Sequence, residues 1–326
     1  TSGGGVGTNA SFTWSTGSAL WNSASNGSGT RVAWTNAATP NNAVLGAGSG
    51  TGTYTATLGS AVSVGTISVN RGTWSIATGG NALTFNSTTS WTNSLVISGT
   101  GSVIKAGSNT LTVSGASSYT GATTINAGTL RLGSAGGGTN TPLGTTGAGT
   151  TVSASGAALD LNGVSLGTAE ALTLNGTGIS STDGALTNSA GTAATYSGLV
   201  TLGSAATIGG TGDITLSHAN GIAGNFLLTK VGGDTLTINN SSGARTGGAT
   251  INAGTLTLAN AASLGAAGQT VTLNGGTLNL ATNTSVNASF SEASNTAYSR
   301  NSAPNCGSAR IARAASTEKW HPATIT

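Results

Sequence analysis

The chain has 326 residues, and its 10 Lys+Arg and 7 Asp+Glu make 5% charge, against roughly 25% in an average soluble domain. Gly supplies 54 residues, Pro 4 and Met none, and the formal net charge is +3. A mean hydropathy of +0.10 with so little charge excludes a disordered polyelectrolyte, scarce Pro excludes collagen, and the lack of a Lys/Arg cluster excludes a nucleic-acid track despite a pI of about 9.4.

Residues 1–97 form a Trp-marked lead-in that holds Trp14, Trp21, Trp34, Trp74 and Trp91. Two readings of these rings stand together. They cover the end of an apolar core, or Trp14, Trp21, Trp34 and Trp74 present flat faces on which sugar rings stack. The polar start Thr1-Ser2-Gly3, without an initiator Met, reads as a processed chain or an excised piece. No segment approaches 18 consecutive apolar residues, so none reads as a transmembrane helix.

From residue 98 to 282, apolar residues recur at every second place. Leu111 and Val113 show it, as do Leu172 and Leu174, Ile214 and Leu216, Leu236 and Ile238, and Leu278 and Leu280. This period predicts short strands with one buried face. The runs end at Asn126-Ala127-Gly128, Asn162-Gly163, Asn175-Gly176 and Asn274-Gly275-Gly276. Asn and Gly accept positive φ and turn the chain there. Helical periodicity is missing, and Gly, Ser, Thr and Asn are poor helix formers.

The same region repeats itself. Lys105-Ala106-Gly107, Leu111-Thr112-Val113, Tyr119-Thr120-Gly121 and Thr124-Ile125-Asn126-Ala127-Gly128-Thr129-Leu130 return as Lys230-Val231-Gly232, Leu236-Thr237-Ile238, Arg245-Thr246-Gly247 and Thr250-Ile251-Asn252-Ala253-Gly254-Thr255-Leu256. The offset is 125 at the lysines (230 − 105) and 126 at the isoleucines (251 − 125), so one residue is inserted in a loop between them.

These two blocks resemble the autotransporter-associated β-strand repeat of bacterial passenger proteins. The resemblance implies an all-β fold, a right-handed parallel β-solenoid with atypical terminal segments, exported and displayed outside the cell. It implies no enzyme activity. Stacked strands pair backbone groups between rungs, and stability accumulates over neighbouring rungs. With about 20 residues per rung, about 14 rungs and a rod of about 65 Å are expected.

Composition changes at residue 283. The tail, 283–326, holds one Gly (Gly307) and six of the charged residues. A cap on the last rung, an interface and a displaced reading frame remain alternatives for it. Its lone thiol, Cys306, is a free thiol or an intermolecular link.

Candidate chemistry is sparse, and no catalytic, cofactor-binding or metal-ligating residue is assigned. The two His stand 103 residues apart (321 − 218) and no Cys pair exists, so no metal or cofactor is expected. Asp160, Glu170, Asp183, Asp213 and Asp234 are dispersed, though Asp213 and Asp234 could meet on successive rungs. Gly209-Gly210-Thr211-Gly212-Asp213 reads as a Gly-rich turn rather than a calcium-binding roll. His218 reads as a strand-end residue. Threonine alternates at Thr51/Thr53/Thr55/Thr57, Thr110/Thr112, Thr235/Thr237 and Thr255/Thr257, an outward pattern with irregular spacing.

The function read from these observations is a non-catalytic, structural or adhesive β-solenoid. It would sit at a bacterial cell surface or outside the cell and extend end to end into fibres. Self-association and cell-surface or matrix contacts are the expected interactions. A carbohydrate-binding or carbohydrate-cleaving β-helix, with glycans as ligands, is the alternative. Ice binding through Thr arrays comes last.

Overall fold

The computed structural model describes residues 4–5, 10–17, 21–22, 31–36, 41–46, 52–243, 245–260, 262–266, 268–280 and 288–292. Among these there is no helix. The strands are short and stack in parallel as a β-solenoid of about 10 turns.

Each turn has three faces. Face one carries Val62–Val64, Leu83–Phe85, Val103–Lys105, Thr123–Ile125, Thr150–Val152, Leu172–Gly176 and the start of Val200–Gly210, all paired in parallel. Face two can be followed longest. Its successive Cα partners are Trp91, Leu111, Leu130, Leu159, Leu186, Ile208, Lys230, Ile251, Leu273 and Glu292. Face three carries Thr53–Leu58, Thr73–Ala77 and Val96–Ser98 near the start. It resumes as Ala194–Tyr196, Ile214–Leu216, Thr235–Ile238, Thr255–Leu258 and Thr277–Leu280.

The alternating sequence dictates this arrangement. In Thr123–Ile125, Thr150–Val152, Ile214–Leu216 and Ala249–Ile251 the first and third side chains are buried and the middle one is half-buried. Inward Leu, Ile and Val stack into one continuous core. Each contributes roughly 1.5–3 kcal/mol over an exposed side chain, and the pleat alone decides which residues point in.

Two turns are longer than expected. Most steps on face two span 19 to 22 residues, but Leu130 to Leu159 takes 29 (159 − 130) and Leu159 to Leu186 takes 27 (186 − 159). A small antiparallel hairpin, Asn140–Thr141 with Gly144–Thr145, fills part of the first excess. The structure has about 10 turns where 14 were expected, and the rungs stack to about 45–50 Å.

The corners favour Gly for two reasons. Gly128 and Gly254 hold matching places in the repeat and have φ of 67° and 65°, where a side chain is strained. A Cβ on Gly107 would lie 1.9 Å from the Ser87 carbonyl oxygen of the neighbouring rung. Asn behaves otherwise than expected. Among the described residues only Asn162 is a non-Gly residue with positive φ, at 50°. At Asn175-Gly176 and Asn274-Gly275 the Gly makes the turn.

The solenoid continues past residue 283 for one strand, since Ala288–Glu292 pairs in parallel with Gln269–Leu273. The rest of 283–326, with Cys306, lies outside the described residues.

Candidate functional site

The most distinctive chemistry lies inside the rod. Lys230 sits in the inward column of face two between Ile208 and Ile251. Its Nζ donates to Asp234 Oδ1 at 2.7 Å, to the Val231 carbonyl at 2.6 Å and to the Gly232 carbonyl at 3.1 Å. Both side chains of this ion pair are fully buried. Burial pulls the lysine below its ordinary range, and the hydrogen bond and charge of Asp234 pull it back. Burial pushes the Asp234 carboxyl up, Lys230 opposes that, and Asp213 adds to it. Asp234 Oδ2 has no hydrogen-bond partner.

Lys105 holds the matching place in the first block, inward on face one between Phe85 and Ile125. Its Nζ donates to the carbonyls of Gly107 and Ala127, the latter at 3.0 Å on the next rung. Position 109 offers Asn where the second block offers Asp234. Asn109 Nδ2 instead donates to the Thr89 carbonyl at 2.6 Å, and Oδ1 is unpartnered. With no carboxylate bonded to it, the Lys105 ammonium is lowered by burial to about 8.

Tyr119 and Arg245 also correspond, and both are buried. Thr123 Oγ1 donates to the Leu143 carbonyl at 2.9 Å, so it accepts from the Tyr119 hydroxyl at 2.6 Å. Arg245 Nη1 reaches the equivalent Leu264 carbonyl at 3.1 Å, and Nη2 reaches the carbonyls of Phe226 and Gly248. Burial lowers Arg245 to about 10. Ser117 Oγ accepts from Ile97 N and Ser242 Oγ from Ile222 N, at the unshifted offset of 125 (242 − 117). The inserted residue therefore falls between Ser242 and Arg245.

The acids stay apart in role. Asp160 is buried and ties three rungs: it accepts from Arg131 Nε at 2.7 Å, Asn162 N at 2.9 Å, and Ser189 Oγ and N at 2.7 and 3.0 Å. Glu170 is buried, accepts from Thr150 Oγ1 at 2.9 Å, leaves Oε2 unpartnered, and is raised by burial to about 7. Asp183 accepts from Ser180 within its own turn. Asp213 is exposed and accepts from Thr235 N at 2.8 Å on the next rung. Asp213 adds to the upward push on the Asp234 carboxyl, but Lys230 pairs with that carboxyl. His218 Nδ1 accepts from Asn220 N at 3.1 Å, also within a turn. Among the described residues no three His, Cys, Asp or Glu gather into a metal site.

Trp14, Trp21, Trp34 and Trp74 are all buried, with at most 4% of their surface exposed. Trp14, Trp21 and Trp34 pack on one another with ring centroids 4.8 to 4.9 Å apart. Trp74 packs against Tyr54 and Phe12, and its Nε1 donates to the Arg71 carbonyl. Their faces meet other rings, not solvent. A shallow cleft of about 220 Å³, bordered by Leu227, Gly247, Gly248, Gly268 and Gln269, has neither a carboxylate nor an aromatic ring in its lining.

A family model described as passenger-associated-transport-repeat matches residues 103–132 and 228–258. These two blocks are similar to that repeat. The comparisons with curated proteins and with solved structures each found no match.

The two passenger-associated transport repeats do not share an orientation. The first begins on face one with Val103–Lys105, the second on face two with Leu228–Lys230. Thr110–Val113 of the first and Leu228–Lys230 of the second belong to one column of parallel partners. The second copy is thus advanced by one face. Sequence reasoning found both lysines as repeat markers but not as buried groups. The signal was their register, since Val103-Ile104-Lys105 and Leu228-Thr229-Lys230 put Lys where alternation puts an apolar residue.

Proposed function

We propose that this chain is a passenger-like bacterial surface protein whose task is structural: a weakly charged rod that spaces or presents surfaces and adheres through them. The observation that carries this reading is the use of its charged groups. Lys105, Lys230, Arg245, Asp160, Glu170 and Asp234 are buried and bonded to corner backbone, to a neighbouring rung or to each other. They hold the scaffold together and leave few sites for trypsin-like proteases. The passenger repeat supports an exported location.

The glycan reading needs exposed rings beside clustered acids. The packing of Trp14, Trp21, Trp34 and Trp74 favours the structural reading over it. Growth into fibres belongs to the proposal too, because the end of a parallel stack offers unpaired strand edges.

Antibody raised against the chain and applied to intact cells tests location. Labelling without permeabilisation is expected, and labelling only after lysis would refute surface display. Sedimentation over a concentration series tests assembly, and a strictly monomeric species would remove the fibre.

A further inference from the structure

Along the chain the threonines are irregular, but across the rungs they align. On face one the outward residues Thr124, Thr151, Thr173 and Thr201 are direct partners on four successive turns. Two places further on, Asn126, Ser153, Asn175 and Gly203 form a second column with the same outward alternation. Rungs stand about 4.8 Å apart and the columns about 6.8 Å.

The columns are fixed in place. Ser153 Oγ lies 2.9 Å from Asn126 Oδ1, Asn175 Nδ2 donates to the Val152 carbonyl at 2.8 Å, and a Cβ at Gly203 would meet Asn175 Oδ1 at 2.6 Å. None of these eight residues carries a charge. The twin column has no aromatic ring to stack on a sugar, no charge for a polyanion, and none of the aromatic and Arg anchors typical of protein interfaces. It offers one column of Thr hydroxyl and methyl groups repeated from rung to rung, beside a mixed column of Asn126, Ser153, Asn175 and Gly203.

We propose that this strip binds ice, an uncharged lattice of water that repeats on the same scale. The proposal does not depend on surface display. It reverses the weighting given by the local spacing, because the relevant repeat runs from rung to rung rather than along a strand.

The test measures thermal hysteresis and ice recrystallisation with the full chain. Wild type is expected to be active. The double variant Thr151→Lys, Thr173→Lys is expected to fall to the buffer level with its β circular dichroism retained. Thr211→Lys, at the exposed corner between faces two and three, should keep full activity. If the double variant does not fold, Thr173→Val, which removes one hydroxyl and keeps the shape, should reduce activity. A folded wild type at the buffer level overturns the proposal, as does an active, folded double variant.

Discussion

The two passenger repeats solve one problem in different ways. Each drives a lysine into the core and ties its ammonium to corner carbonyls. The second copy adds a carboxylate four residues on, at Asp234, and the first has Asn109 there. The neutral corner leaves its lysine shifted to about 8, whereas the paired corner gains an attractive charge contact. A buried pair is costly to break, because the survivor stays desolvated and alone.

The largest expected effect follows. Lys230→Ala strands Asp234 and should cost about 3–5 kcal/mol, read by denaturant unfolding; a loss no greater than that of an exposed-surface change would show that the pair carries no strain when broken. Grafting the second solution onto the first is next. Asn109→Asp should pair with Lys105 and raise its pKa above about 8, while the loss of the Asn109 Nδ2 bond to the Thr89 carbonyl offsets the gain in stability. An unchanged lysine titration by NMR would mean that the corners are not equivalent.

The same contrast has a pH signature. Lys105 is lowered from 10.5 to about 8 in the folded chain, so the unfolded chain binds more protons between those values. Stability should rise with pH across that window, and Lys105→Met should flatten the rise. Glu170 gives the opposite effect. Its folded pKa is raised from 4.5 to about 7, so stability is greatest below 4.5 and falls as pH rises to 7. Glu170→Gln should raise Tm at pH 8 by about 2–4 °C and leave acid stability little changed. An equal gain at pH 4 would show that burial of the charge is not the cause.

Strand positions, the all-β class and the repeat pair were legible because pleat alternation is a local property of residues such as Leu111-Thr112-Val113. What depends on stacking was not. The 29-residue step from Leu130 to Leu159 lengthens one turn without disturbing any strand pattern. The threonine columns are separated by whole turns of uneven length, so no fixed spacing reveals them. The tryptophans illustrate the same limit. Sequence left them open between cover and platform, and their mutual packing is a tertiary fact. Asp160 gave no signal at all, since its partners Arg131 and Ser189 come from rungs on either side.

The displacement of the second repeat by one face has an evolutionary reading. Because the three sides accept the same strand-and-corner unit, a duplicated cassette need not be a whole number of turns long to seat itself. Such a rod lengthens in thirds of a revolution. Each misfit copy then points its outer residues in a new compass direction, so gene duplication alone diversifies what the surface shows.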